Sequence, residues 1–307
     1  MIMKSELKEL EISRVGLGCM RLSMNMSGNP IDKKESIATI HKAFDLGINL
    51  LNTGDFYGNG DNEELIATAM KDYDRDKAFI SLKYGTFSNL MKGDNRIDVG
   101  PKNVKKYITT SLKRLNVNYV DLYQPARIDM GIPIEETIGA ISDLVKEGYV
   151  RHIGLSEVDA NILKKANETH PISLVEMVYS ITDETIENDL LPMARKLGIG
   201  IVAFGLLGLG KLFKSKDDAL VKMIYKIADE KAVSISQIAH AWILNKGEDI
   251  IPLIGAKNVA QLEDSIQSLK VNLSKEDISK LENAKKTSKI IGSSMPKMLI
   301  KNGKLIQ

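Results

Sequence analysis

Residues 119–157 read YVDLYQPARIDMGIPIEETIGAISDLVKEGYVRHIGLSE, and their order decides the fold. YVDLYQP (119–125) is a short β-rich run. PIEETIGAISDLVKEG (133–148) is a longer amphipathic one. Pro133 opens it, Glu135 and Glu136 stand in its first turn where carboxylates suit the helix dipole, and Gly148 ends it. VRHIGLSE (150–157) is β-rich again. Strand, helix and strand in that order make a parallel pair, because parallel strands need a crossover connection.

The same alternation runs outward in both directions. Upstream lie the β-rich runs VGLGCM (15–20), NLLNTG (49–54) and AFISLKYG (78–85), each followed by a helical pattern. Downstream lie SLVEMVYS (173–180), GIVAFGLL (200–207) and DIIPLIGA (249–256). The seventh is followed by two helical runs, 217–231 and 234–246, and a last one covers 275–288 behind Ser274. Eight parallel strand–helix units predict a closed (β/α)8 barrel of the TIM type rather than an open doubly wound sheet. Leu7 to Ile12 alternate and predict an N-terminal hairpin under the barrel; the runs after the eighth strand are extra C-terminal helices. No Pro/Gly/Ser-rich linker divides the chain, so residues 1–307 read as a single domain.

Composition removes several classes of function. The 307 residues are 43% hydrophobic and 27% charged, and 42 basic residues against 40 acidic ones leave a net charge of +2. No basic field or like-charge block points to nucleic acid. No apolar run approaches the roughly 18–20 residues that span a bilayer. MIMKSELKELEIS at the N-terminus lacks the apolar core of a signal peptide. The single cysteine, Cys19, excludes an intrachain disulfide and a cysteine-based zinc site. A cytoplasmic, soluble protein with no nucleic-acid or membrane partner is expected; the oligomeric state is not readable.

A barrel places its site at the C-terminal ends of its strands. In the third strand, alternation puts Phe79, Ser81 and Lys83 on one face. A lysine in a buried strand is costly unless paired or functional; the alternative is a strand-end lysine reaching solvent. Tyr57 follows the second strand in the Gly-rich loop TGDFYGNG. It is either an aromatic packing over the mouth or a general acid, and an ammonium beside it lowers a phenol's pKa from its usual value of about 10. GLLGLGK (205–211) fits the glycine–lysine frame of a P-loop, but Leu212 stands where a magnesium-binding hydroxyl is required. Gly16-Leu-Gly18 lacks the third glycine of a dinucleotide fingerprint. His41, His152, His170 and His240 avoid the strand ends, so no metal site is expected. The methionines at 24 and 26 follow the first strand and read as a soft lid or an ordinary loop.

Taken with their order, the segments NLLNTGDFYGNGDNEE, ISLKYG, VDLYQPARID, PIEETIGAISDLVKEGYVRHIGLSE and IPLIGAKNVAQLEDSI resemble the aldo-keto reductases over nearly the whole chain. The resemblance implies an NADPH-dependent oxidoreductase that passes hydride to the carbonyl of an aldehyde, ketone, dicarbonyl or quinone. Tyr57 matches the family's acid and Lys83 its ammonium partner. The family's Asp, five residues before the Tyr, is here Asn52, and its His is here Ala126, before Arg127. Asn52 is expected to hydrogen-bond Lys83 without supplying charge, which lowers the lysine's pKa relative to an Asp-bearing variant. Asp55 is read as a loop residue. For the cofactor, Ser156 matches a carboxamide contact, Glu157 stands where Asn is usual, and Glu176 replaces a Gln. Glu176 would accept from the carboxamide NH2. Phe204 matches the ring that stacks on nicotinamide, and Lys211 the loop over the pyrophosphate. Lys257, Gln261, Asp264 and Ser265 match positions around the 2′-phosphate and adenine, and Lys257 favours NADP. Because half of the catalytic tetrad is altered, the alternative is an NADP-binding redox sensor or regulatory subunit with little turnover.

Overall fold

The eight β-rich runs become eight strands of one closed parallel barrel in a computed structural model that describes residues 7, 10–24, 31–89, 94–292 and 299–306. The strands are β1 (Gly16–Gly18), β2 (Leu50–Gly54), β3 (Phe79–Tyr84), β4 (Val120–Pro125), β5 (Val150–Ser156), β6 (Ile172–Val178), β7 (Gly200–Phe204) and β8 (Ile250–Ile254). Each pairs with its neighbour in the chain, and β1 closes the ring by placing Gly16 opposite Leu253 of β8. That closure needs a glycine: a Cβ on Gly16 would lie 2.7 Å from side-chain carbons of both Leu50 and Leu253.

Amphipathic helices wrap the outside, among them Lys33–Asp45, Val104–Leu115, Ile134–Lys146 and Ala160–Thr169. Their buried stripes pack on the outward faces of the strands in one continuous apolar cluster. Asp32, Asp159 and Ser234 accept backbone N–H groups at helix starts, and Ser274 forms a capping box with Asp277. The two runs after β7 are helices Ala219–Lys231 and Ile235–Leu244. Beyond β8 come Val259–Ile266 and Lys275–Lys285. None of the helices among the described residues is long and apolar enough to cross a membrane.

Inside the barrel the side chains form layers. At the N-terminal end Leu50, Phe79, Leu122, Leu174, Val202, Ile251 and Leu253 meet, and Leu10 and Ile12 plug the opening from below. The hairpin expected before residue 15 lies mostly outside the described residues. Ser13 and Asn49 fix the plug by reciprocal bonds: Ser13 N donates to Asn49 Oδ1 (2.8 Å) and Asn49 N donates to Ser13 Oγ (3.1 Å).

The other end carries a feature that strand–helix alternation does not predict. Thr86–Asn89 and Asp94–Ile97 form an antiparallel hairpin after β3. The C-terminal strands Ile300–Lys301 and Lys304–Leu305 extend it to four strands. Asp129, after β4, holds the C-terminal turn: its carboxylate accepts from Asn302 N (2.8 Å) and Gly303 N (2.6 Å).

Candidate active site

Strand alternation carries four polar side chains into the barrel directly above the apolar floor. Asn52 follows Leu50 by two residues, Gln124 follows Leu122, Glu176 follows Leu174, and Lys83 stands four residues beyond Phe79. All four are buried, Lys83 with 3% and Glu176 with 4% of the residue exposed. Lys83 therefore does not reach solvent, and it must be paired.

The pairing is complete. Lys83 Nζ donates to Asn52 Oδ1 (2.6 Å) and to Glu176 Oε1 (2.9 Å) and Oε2 (3.1 Å). Glu176 Oε2 also accepts from Asn52 Nδ2 (2.7 Å) and Gln124 Nε2 (2.7 Å). The expectation that Lys83 lacks an anion is thus overturned: the charge comes from β6, across the barrel, rather than from β2. Burial pushes the ammonium's pKa down, but the Glu176 carboxylate and Tyr57 push harder, and the pKa lies above its ordinary value.

Tyr57 lies in a 3-10 turn whose left-handed φ values at Gly58 (59°), Asn59 (55°) and Gly60 (105°), open to glycine and tolerated by Asn, bend the loop over the mouth. Asn62 anchors the turn: it accepts from Thr53 Oγ1 (2.6 Å) and donates to Cys19 O (2.8 Å). The Tyr57 ring is buried, with Lys83 Nζ 5.3 Å from its centroid and Phe56 edge-on at 4.8 Å. Burial raises the phenol's pKa and Glu176 adds to the rise; Lys83 pulls it down by charge and hydrogen bond, and Arg127 by charge. The net position is above the ordinary tyrosine value, so burial outweighs the ammonium, contrary to the simple expectation of a lowered pKa. Nearby, burial pushes the Asp55 carboxyl up to about 7. Its Oδ2 accepts from Gly85 N (3.2 Å), while its Oδ1 has no hydrogen-bond partner among the described residues. Ala126 is buried and its backbone N donates to Tyr84 O (2.9 Å).

The residues matched to the cofactor lie around the same rim. Ser156 is buried at the end of β5. Glu157 adopts φ 55°, and its Oε1 accepts from Val178 N (2.8 Å). Phe204, at the end of β7, keeps part of its surface exposed. Lys211 Nζ donates to the carbonyls of Ile290 and Gly292, both at 3.3 Å, and so ties its loop to the C-terminal segment. Lys257 is exposed at the head of Val259–Ile266, with its backbone N donating to Gln261 Oε1 (3.0 Å). Asn258 caps that helix through Gln261 N (2.9 Å). Ser265 is half-buried. Asp264 faces the adjoining helix, accepting from Ser234 Oγ (2.8 Å) and Gln237 Nε2 (2.7 Å). An exposed ammonium beside a capped helix N-terminus suits a phosphate, and a half-exposed ring on the rim suits a flat heterocycle, so these residues fit a dinucleotide phosphate.

Sequence reading did not single out Gln124. The signal was there: an amide at an inward position of a buried strand, the same kind of anomaly that marked Lys83. Among the described residues no group of three His, Cys, Asp or Glu side chains is placed to hold a metal ion.

Comparison with known proteins bears on this arrangement directly. The sequence profile of the aldo/keto reductase family matches residues 14–286. The chain belongs to the aldo-keto reductase family. It is 35% identical over 298 residues to a Glycine max protein named "Probable aldo-keto reductase 1", covering 89% of this chain and 86% of that one. A thermostable aldo-keto reductase solved with the inhibitor epalrestat superposes with a TM-score of 0.79 at 27% identity, over 92% of this chain and 99% of that one. The glycerol dehydrogenase of Gluconobacter oxydans shares the fold with a TM-score of 0.83 at 24% identity, over 97% and 98% of the two chains. Aldo-keto reductases are NAD(P)H-dependent carbonyl reductases, and this aldo-keto reductase is an oxidoreductase of that general kind.

Proposed function

We propose that the protein reduces the carbonyl of a small aldehyde, ketone, dicarbonyl or quinone with NADPH, and that Tyr57 is the general acid. The observation that carries the reading is a fully paired ammonium, Lys83, buried beneath a tyrosine at the C-terminal mouth of the barrel. Ser156, Glu157, Phe204, Lys211, Lys257, Gln261 and Ser265 would hold the dinucleotide, which supplies the hydride when bound; Asp264 is instead committed to Ser234 and Gln237 of the adjoining helix. Tyr57 holds the proton that the carbonyl oxygen requires. Lys83 stabilises the tyrosinate left behind, because the ammonium's attraction for the phenolate grows as the proton leaves. Asn52 orients Lys83 through its carbonyl oxygen. Glu157 stands where the family has a neutral amide; its Oε1 accepts from Val178 N, and while ionised it can accept but not donate. Lys257 selects the 2′-phosphate, and with it NADP over NAD. Cys19, a buried thiol whose pKa burial pushes up to about 12, is inert and in keeping with a cytosolic setting.

Ala126 favours activated substrates. It provides no side-chain donor where the family has histidine, and one such donor is typically worth about 10²–10³ in rate. Dicarbonyls and quinones are therefore expected to outpace simple aldehydes. The test is NADPH consumption with a panel of these compounds, run beside a fluorescence titration of cofactor binding. Tyr57→Phe should lower kcat by a factor on the order of 10² or more while NADPH affinity is kept. A variant with wild-type turnover would leave Tyr57 as packing only. Tight NADPH binding with no turnover of any carbonyl would instead favour a redox sensor.

A further inference from the structure

The geometry points to Glu176 as a positioning residue for the proton donor: it is the counter-ion of Lys83, moved from β2 to β6 by a paired exchange of amide and carboxylate. This inference rests on the reading of Tyr57 as the acid. The family resemblance implies an acid at position 52 and an amide at 176; in this sequence position 52 is the amide Asn and 176 the acid Glu. The two side chains touch, with Asn52 Nδ2 donating to Glu176 Oε2 at 2.7 Å, and both contact Lys83 Nζ. Exchanging them leaves the buried ring with one ammonium and one carboxylate. Only the strand that carries the negative charge changes.

Hydrogen-bond bookkeeping supports the assignment against a role in gripping the carboxamide. Glu176 Oε2 already accepts from Lys83, Asn52 and Gln124, and Oε1 accepts from Lys83. Three donors of the barrel interior thus hold the carboxylate against Lys83, with Oε2 fully occupied. The other charged and titratable groups around Lys83 do not replace it. Tyr57 is the group being tuned, and Cys19 is a buried neutral thiol held by Leu17 O (3.6 Å). Arg127 and Glu157 lie further along the rim, where the Arg127 charge acts on Tyr57 and on Glu157. Removing the Glu176 charge alone leaves a buried ammonium with only neutral partners, which is expensive. Gln124 offers the means to accept the reverse exchange. Its Oε1 is buried with no hydrogen-bond partner among the described residues, so a flipped amide at 124 can accept from an amide at 176.

The experiment compares wild type, Glu176→Gln, and the double variant Asn52→Asp/Glu176→Gln. Readouts are kcat against pH on a dicarbonyl, NADPH affinity by fluorescence, and urea unfolding. Glu176→Gln should lose on the order of 10²-fold in kcat, as expected of an impaired general acid. Its alkaline limb should move to lower pH by about one unit or more, because the anion that stabilised the protonated donor pair is gone. The double variant should recover most of the rate and return the limb, with NADPH affinity unchanged throughout. If Glu176→Gln fails to fold and the double variant folds and turns over, the rescue makes the same point. The inference is overturned if Glu176→Gln keeps rate and limb and loses only NADPH affinity. It is also overturned if a folded, NADPH-binding double variant is no better than the single one. Should wild type reduce no carbonyl, the catalytic reading fails by itself. Unfolding then decides the counter-ion: stability lost in Glu176→Gln and restored in the double variant supports it, and no restoration refutes it.

Discussion

The barrel interior holds two layers, contributed by the same strands only a few residues apart, and their chemistry is opposite. The floor is Leu50, Phe79, Leu122 and Leu174; above it stand Asn52, Lys83, Gln124 and Glu176. Both are almost entirely shielded from water. The floor needs no partner, since each apolar side chain gains from burial alone. The upper layer is stable only as a closed ring, because each member satisfies a charge or a hydrogen bond of another. A floor residue should therefore be trimmed at a cost to stability alone, whereas a change in the ring should also alter the surroundings of Tyr57, the proposed proton donor.

Breaking the ring should give the largest effect. Lys83→Met strands the Glu176 carboxylate, and loss of one partner of a buried pair costs about 3–5 kcal/mol. Turnover should be lost together with stability, both measurable by urea unfolding and NADPH consumption. Breaking the floor should separate the two. Leu174→Ala is expected to cost about 2–5 kcal/mol by unfolding, yet the folded variant should keep kcat and its pH profile. A floor variant with a shifted pH profile would show the layers to be coupled.

Away from both layers, Lys257→Ala should weaken NADPH on the order of tenfold and leave NADH unchanged, since one exposed charge–phosphate contact is removed. Equal loss for both cofactors would place Lys257 elsewhere than at the 2′-phosphate. The smallest effect is absent at neutral pH. The Lys83 pKa is raised above its unfolded value of 10.5, so the native state holds this proton more tightly. The pair's contribution is fully present below 10.5 and fades as pH rises through the native value. Alkaline unfolding curves should show this loss in wild type and not in Lys83→Met.

The barrel was legible because alternation, helix period and caps agreed along the chain. Lys83 was legible because lysine is anomalous in a buried strand. Glu176 was read toward the cofactor because sequence gives the face of a strand but not which neighbour a carboxylate turns to across a barrel. Its partner lies 93 positions away. Gln124 lay in a strand-end segment where a site was expected but was given no role, because a neutral amide costs less to bury than a charge. The sheet over the mouth was hidden for another reason: TFSN and DNRI carry no apolar alternation, and the strands that complete it are two residues each.

That sheet gives the mouth a stability of its own. Lys304 pairs with Arg96 and Ile97 N donates to Gly303 O (3.3 Å), so the hairpin after β3 is completed only by the far end of the chain. The closing contacts have very high sequence separation, and the strands that complete the sheet are two residues each, which makes this wall a late event in folding and an early one in opening. Amide hydrogens of the sheet should therefore exchange through a local excursion while those of the eight barrel strands wait for global unfolding. Exchange of both sets in a single global step would show instead that sheet and barrel open as one unit.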